Sequence, residues 1–211
     1  HDRVCDLLLR RGAKIDLVDN DRKTALMLAA ENGHDRVCDL LIWQKSEIDL
    51  ADSDGKTALM LAAESGHDRV CDLLIIMEAK IDLADKDKKT ALMLAAEKGH
   101  EEVCYLLIRR GVKIDLVDNN GKTALMLTAE NGHDRVYDLL IRRGAKIDLA
   151  DKDKKTALML AAEKGHHRVC DLLCYLLMRR GVKIDLVDNN GKTALMLTAE
   201  NGHDRVYDLL I

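Results

Sequence analysis

The chain contains no proline and no phenylalanine in 211 residues. Average usage would place roughly ten prolines in a chain of this length. Its only aromatics are Trp43, Tyr105, Tyr137, Tyr175 and Tyr207. A core without phenylalanine must be built from small and aliphatic side chains. Long apolar runs are missing too: the longest uncharged apolar stretch is about seven residues, as at 24–30, against the roughly 18 that suggest a membrane span. The opening His-Asp-Arg-Val-Cys-Asp lacks the basic-then-apolar order of a secretory leader. Positive charge is not in excess either. With 33 basic and 37 acidic residues the net charge is −4, which gives no electrostatic reason to bind nucleic acid. The residues present suffice for folding, because 47% of them are hydrophobic, well above the disordered range.

The main fact is a period. Lys-Thr-Ala-Leu-Met-Leu begins at Lys23, Lys56, Lys89, Lys122, Lys155 and Lys192, in steps of 33, 33, 33, 33 and 37. Gly-His recurs in phase from Gly33-His34 to Gly202-His203. The chain therefore divides as a single array: a partial unit 1–18, full units 19–51, 52–84, 85–117 and 118–150, a long unit 151–187, and a partial unit 188–211.

Each unit predicts two helices and a loop. Thr24 suits a helix N-cap, since its hydroxyl can accept from a free backbone N–H. The adjoining Ala-Leu-Met-Leu-Ala-Ala-Glu has high helix propensity, and Gly33 suits a left-handed stop. Asp35 falls in the first turn of a second helix, with Val37, Leu40, Leu41 and Ile42 as its apolar face and arginines such as Arg109 and Arg142 in its last turn. Gly111, Gly144 and Gly181 end it. The alternating Lys-Ile-Asp-Leu-Ala/Val-Asp predicts a short extended finger, with a turn near Asn119-Asn120-Gly121. One helix pair is too small to fold alone, so stacked pairs must share a continuous core.

This 33-residue unit resembles the ankyrin repeat. The residues that carry the likeness are Thr24-Ala25-Leu26-Met27 with its copies, Leu28-Ala29-Ala30, Gly33-His34, Leu40-Leu41 and Gly111-Val112-Lys113-Ile114-Asp115. Alanine stands where the family has proline. Methionine stands where the family has histidine, so the hydrogen bonds of that histidine are expected to be lost and Met27 to act as adaptable apolar packing. The aspartates at 16, 49, 82, 115, 148 and 185 stand where the family often has an asparagine that undergoes hydroxylation. The resemblance implies an all-α ankyrin-repeat α-solenoid of stacked helix-turn-helix units with short β-like finger loops. It also implies a non-catalytic protein-protein interaction scaffold, cytoplasmic, using the concave surface of finger tips and first helices. Two alternatives stand beside it: a structural or engineered array whose main activity is self-association, and a targeting module of a larger enzyme or effector.

The reactive side chains form ladders rather than a site. Cys5, Cys38, Cys71, Cys104 and Cys170 occupy one repeat position, with Tyr137 and Tyr207 taking that place elsewhere. Packed helices lie about 8–10 Å apart, too far for a disulfide, so reduced core thiols are expected. Cys170 and Cys174 share a helix face but make only half a metal site. The histidines at 34, 67, 100, 133, 166 and 203 cannot converge on one ion and read as loop or helix-start hydrogen bonders. Ser46, Ser53 and Ser65 read as surface residues, and the many paired carboxylates as solvated. A tandem array offers no unique convergent constellation, so no enzyme activity and no metal or cofactor is expected.

The informative variation is paired. The residue after the second finger Asp matches the residue after the Glu that ends the first helix: Asn20/Asn32, Ser53/Ser65, Lys86/Lys98, Asn119/Asn131, Lys152/Lys164 and Asn189/Asn201. With Asp21, Lys88, Lys154 and the finger lysines Lys23 and Lys56, these form candidate stripes for an acidic or extended protein partner. A Glu ladder from Glu31 to Glu200 runs beside them. The competing reading is recent duplication with solubilising charge. Trp43 and Met77, in Trp43-Gln44-Lys45-Ser46 and Ile75-Ile76-Met77-Glu78, replace Ile-Arg-Arg-Gly and read as an apolar contact patch at adjacent helix ends. Residues 104–141 recur at 174–211 with one change, Ile108 to Met178. That duplication adds four residues to the long unit, and Leu-Leu repeating at i+4 predicts a longer helix. The chain opens and closes inside second helices without polar caps, so a longer array or head-to-tail stacking of copies is expected.

Overall fold

The computed structural model describes residues 2–181 and 183–206. Tyr207 and the closing segment to Ile211 lie outside the described residues. Twelve helices run in order among those described: α1 Asp2–Arg10, α2 Ala25–Glu31, α3 Asp35–Trp43, α4 Ala58–Glu64, α5 Asp68–Ile76, α6 Ala91–Lys98, α7 Glu101–Arg109, α8 Ala124–Asn131, α9 Asp134–Arg142, α10 Ala157–Lys164, α11 His167–Arg180 and α12 Ala194–Asn201. The fold is all-α.

The helix starts are set by threonine. Thr24, Thr57, Thr123, Thr156 and Thr193 are extended N-caps, and each hydroxyl accepts from the backbone N–H of the methionine three residues on. The sequence assigns that methionine packing alone. The structure adds polarity: Met27 Sδ accepts from Thr24 N–H at 3.4 Å and Met60 Sδ from Thr57 N–H at 3.5 Å. Thioether sulfur is a weak acceptor, yet it closes a reciprocal cap.

Contact density divides the chain into two compact units, residues 1–95 with 102–112 and residues 96–101 with 113–211. In the first, α2 packs on α3 and α4, α4 on α5, and α3 on α1 and α5. In the second, α8 packs on α9 and α10, α10 on α11 and α12, and α9 on α11. First helices thus stack on first helices and second on second. The interior first helices are buried on every side: all of 58–63 and 157–162 are enclosed, as expected of a helix apolar all round. Alanines at 62, 63, 161 and 162 are wholly buried, so the helices approach closely and the core needs no phenylalanine.

The fingers are β-like loops rather than strands. No described residue belongs to a strand; Ala84–Thr90 and Ala150–Thr156 form isolated antiparallel bridges. Ile15-Asp16 and its copies at 48–49, 81–82 and 114–115 make a turn, while 147–148 only bend. The reason is sideways bonding. Asp16 Oδ1 accepts from Ser46 Oγ at 2.6 Å and Glu47 N–H at 3.2 Å, Asp49 from Lys80 N–H, and Asp115 from Lys146 N–H, each in the next repeat. Ser46 is therefore buried and bonded, not a surface serine.

The four extra residues of the long unit extend α11, which has 14 residues where α9 has nine. Leu173, Cys174 and Leu177 are buried along it, so the repeated apolar pair does keep one face. Asp148 is exposed, and its carboxylate has no bond among the described residues, although Asp115 one repeat earlier holds Lys146 at 3.0 Å.

Candidate functional site

Each finger is built on one aspartate. Asp52 Oδ1 accepts from Asp54 N–H at 2.9 Å and Lys56 N–H at 2.8 Å. Asp19, Asp85, Asp118, Asp151 and Asp188 repeat both bonds. Asp52, Asp118, Asp151 and Asp188 are buried, which corrects their reading as solvated carboxylates. Burial pushes the Asp85 and Asp151 carboxyls above the usual range despite their two N–H donors. The tips then join backbone to backbone: Ser53 N–H donates to Asp21 O at 2.8 Å and Lys86 N–H to Asp54 O at 2.9 Å in the first unit. In the second, Lys152 N–H donates to Asn120 O and Asn189 N–H to Asp153 O, both at 2.9 Å.

These bonds decide where the candidate side chains go. Asn20, Asp21, Lys86, Lys88, Asn119, Lys152 and Lys154 are exposed at finger tips, and Ser53 is half-buried. At the first-helix ends Asn32, Ser65, Lys98, Asn131 and Lys164 are all exposed. The amides there turn back: Asn32 Nδ2 donates to Leu28 O at 2.8 Å and Asn131 Nδ2 to Leu127 O at 2.9 Å. They cap their own helices, so only the serine and lysine repeats project polar groups freely. Lys88 and Lys154 hold positive φ of 59°, a conformation glycine takes at the equivalent Gly55 and Gly121.

Lys23 and Lys56 are placed differently from the other candidates. Lys23 Nζ lies 2.7 Å from Glu31, and Lys56, Lys122, Lys155 and Lys192 pair with Glu64, Glu130, Glu163 and Glu200 at 2.5–2.7 Å. The hydrogen bond to Glu31 raises the Lys23 pKa. At Lys155 burial is the largest influence and works against the charge, but the Glu163 bond together with the attraction of Glu163, Asp188 and Asp151 outweighs it and raises the pKa. These pairs, half-buried except at the exposed Glu200, tie finger to first helix and neutralise the five lysines. By contrast, the ammonium groups of Lys88, Lys98, Lys152, Lys154 and Lys164 have no partner among the described residues.

The histidines bridge repeats. His67 Nε2 donates to Glu31 O at 3.1 Å in the first unit. In the second, His133, His166 and His203 donate to Glu97, Glu130 and Glu163 carbonyls at 2.9–3.0 Å. Each ring thus satisfies a carbonyl at the end of the preceding first helix, which otherwise lacks a partner. The glycine beside it must be a glycine twice over. Gly132 has φ +75°, and a Cβ there would lie 2.5 Å from His166 Nδ1. Sequence reasoning found the ladder but not its acceptor.

The thiols are free, and all but the half-buried Cys5 are buried. Burial pushes Cys38, Cys71 and Cys170 up to about 12. Tyr137 fills the same slot completely buried, its hydroxyl without a partner. Among the described residues no three of His, Cys, Asp and Glu are grouped to hold a metal ion, and none of the helices is long and apolar enough to cross a membrane. At pH 8 a thiol with a pKa of about 12 is ionised to about one part in 10⁴, and only the thiolate reacts. A thiol reagent should therefore label Cys5 quickly and the other five only on unfolding, as read by mass spectrometry. Cys38, Cys71 and Cys170 lose their protons near 9 in the unfolded chain and near 12 in the folded one, so raising the pH through that window favours the unfolded chain.

The period, the threonine-capped first helices and the histidine bridges agree with comparison against known proteins. The model for ankyrin repeats matches three times, over residues 1–87, 69–151 and 126–211. The chain belongs to the ankyrin-repeat family. No curated protein matches it. Ankyrin repeats are generally non-catalytic protein-interaction modules, and the fold by itself does not name a target. Trp43, Ile76 and Met77 fall at the ends of the packed helices α3 and α5: Trp43 and Ile76 are exposed and Met77 is half-buried.

Proposed function

We propose that the chain is a non-catalytic scaffold that grips an acidic, extended protein segment along finger tips and first-helix ends. The observation that carries this reading is the division among the lysines. One set is neutralised inside each repeat by the Glu ladder. The other, Lys152, Lys154 and Lys164 in one repeat with Lys88 and Lys98 as the equivalents in another, projects unpaired from an acidic chain. A solubilising role needs charge of either sign anywhere. Unpaired lysines recurring at the finger tip and the first-helix end of two repeats, with Asp87 and Asp153 between the tip lysines, fit recognition of carboxylates. Buried free thiols fit a reducing compartment, and we infer an intracellular setting.

The test is anisotropy of a labelled deca-glutamate peptide. The wild-type chain, net −4, should bind it in a salt-dependent manner. The variant Lys152→Glu/Lys154→Glu/Lys164→Glu should weaken binding at least about tenfold, since each screened pair contributes up to about 1 kcal/mol. Equal binding by that variant would sink the reading.

A further inference from the structure

The second helices, except α7 with its Tyr105, carry an aspartate and, four residues later, a variable side chain, and the two share a helix face. In α1 the pair is Asp6 and Arg10, with Arg10 Nε 2.9 Å from the carboxylate. In α9 it is Asp138 and Arg142 at 2.8 Å. In α5 the later residue is Ile76, and Asp72 takes its guanidinium from Arg110 instead, at 2.6 Å. Helices α3 and α11 break the rule. In α11 the exposed Asp171 has no partner among the described residues, and Tyr175 follows it. In α3 the aspartate is Asp39 and the later residue is Trp43. Asp39 is exposed, and its carboxylate has neither ion pair nor hydrogen bond among the described residues. Trp43 is 74% exposed, the most exposed large apolar side chain among those described. Indole is costly to leave in water, and tryptophan is enriched at interface centres.

A depression of about 340 Å³ lies against both, floored by Leu40. The other charged groups around it are Asp2, Arg3, Asp6 and Arg36. Asp6 is taken by Arg10, and Arg36 acts electrostatically on Asp2. Asp39 is the carboxylate left without a cation, and it borders the exposed ring.

We propose that Asp39 and Trp43 form a docking point for an arginine side chain of a protein partner. The partner supplies in trans the guanidinium that α1 and α9 hold in cis. Its planar cation pairs with the Asp39 carboxylate and lies over the Trp43 ring, with the apolar stem on Leu40. A guanidinium suits this geometry better than an ammonium because it pairs through a planar fork and stacks on aromatic faces. The inference rests on the chain being a protein-binding module, but not on the lysine stripes. It places a second surface, of opposite charge preference, on the second helices.

Trp43 is the sole tryptophan, so its emission reports the site directly. The wild-type chain is titrated with a tetra-arginine peptide at low ionic strength, beside Asp39→Asn and, as a control for bulk attraction, Asp138→Asn. The expected result is a saturable change in emission, weakened about two- to fivefold in Asp39→Asn and unaltered in Asp138→Asn. Asp39 has no partner to lose, so its variant keeps the helical circular dichroism of the wild type. Equal affinity of Asp39→Asn and wild type, or no saturable change at all, overturns the proposal. The Lys152→Glu/Lys154→Glu/Lys164→Glu variant should bind tetra-arginine at least as well as wild type, which separates failure here from failure of the lysine reading.

Discussion

Replacing Gly132 by alanine should cost about 2–4 kcal/mol of stability, and Gly144 by alanine about 1–2 kcal/mol, although both glycines have positive φ. The difference lies in the atoms a methyl group would meet. At Gly144, φ +90°, nothing lies within 4 Å of the added carbon, so the change adds only left-handed backbone strain. At Gly132 the carbon would sit 2.5 Å from Nδ1, 2.7 Å from Cε1 and 2.9 Å from Cγ of His166. The ring cannot yield by turning its far end away, because Nε2 is held 3.0 Å from Glu130 O. Relief requires giving up that bond and leaving a helix-end carbonyl unsatisfied. Chemical denaturation of the two variants, read by circular dichroism, checks the prediction. Equal midpoints would mean that the histidine bridge contributes nothing.

The second large effect is expected at Met60. Met60→Ala should destabilise by about 2–5 kcal/mol, in the range of large-to-small core changes, and Met60→Leu by less than about 1.5 kcal/mol. Met60 is 1% exposed, inside α4, whose packed neighbours cannot easily close around a void. It also does two jobs: its backbone N–H donates to Thr57 Oγ1 at 3.4 Å and its sulfur accepts from Thr57 N–H. Leucine keeps the volume and the first bond and loses only the second. The thermal midpoints of the pair therefore separate packing from capping. If Met60→Leu costs as much as Met60→Ala, the sulfur bond outweighs the packing.

The parts of this molecule written in local chemistry are legible in its sequence. Thr24 before Ala-Leu-Met-Leu announces an N-cap, and Leu-Leu repeating four residues later announces that the insertion extends a helix. Features that need two repeats at once are not legible. His67 reads as a loop residue until Glu31 of the preceding repeat is brought beside it. Lys56 and Glu64 look like exposed charges eight residues apart, and only the folded-back finger joins them. Asp52 resembles any surface carboxylate, since nothing local reveals that two N–H donors will draw it into the interior. Among the candidate binding residues, the sequence could not separate Lys23, which is spoken for by Glu31, from Lys152, which is not. The bonds that carry the finger aspartates to the next repeat, such as Asp49 to Lys80, are equally silent in the sequence.

Beside the longer α11, α12 packs on α10 and is further joined to the preceding repeat through Asn189 at the fingertips and His203 at the helix end, with the aspartate link from Asp148 missing among the described residues. In arrays of this kind cooperativity is only as strong as each nearest-neighbour coupling. Melting therefore has a preferred starting place at that seam, where one hairpin can peel away while its predecessors stay zipped, so that a sharp all-or-none transition gives way to a gradual one.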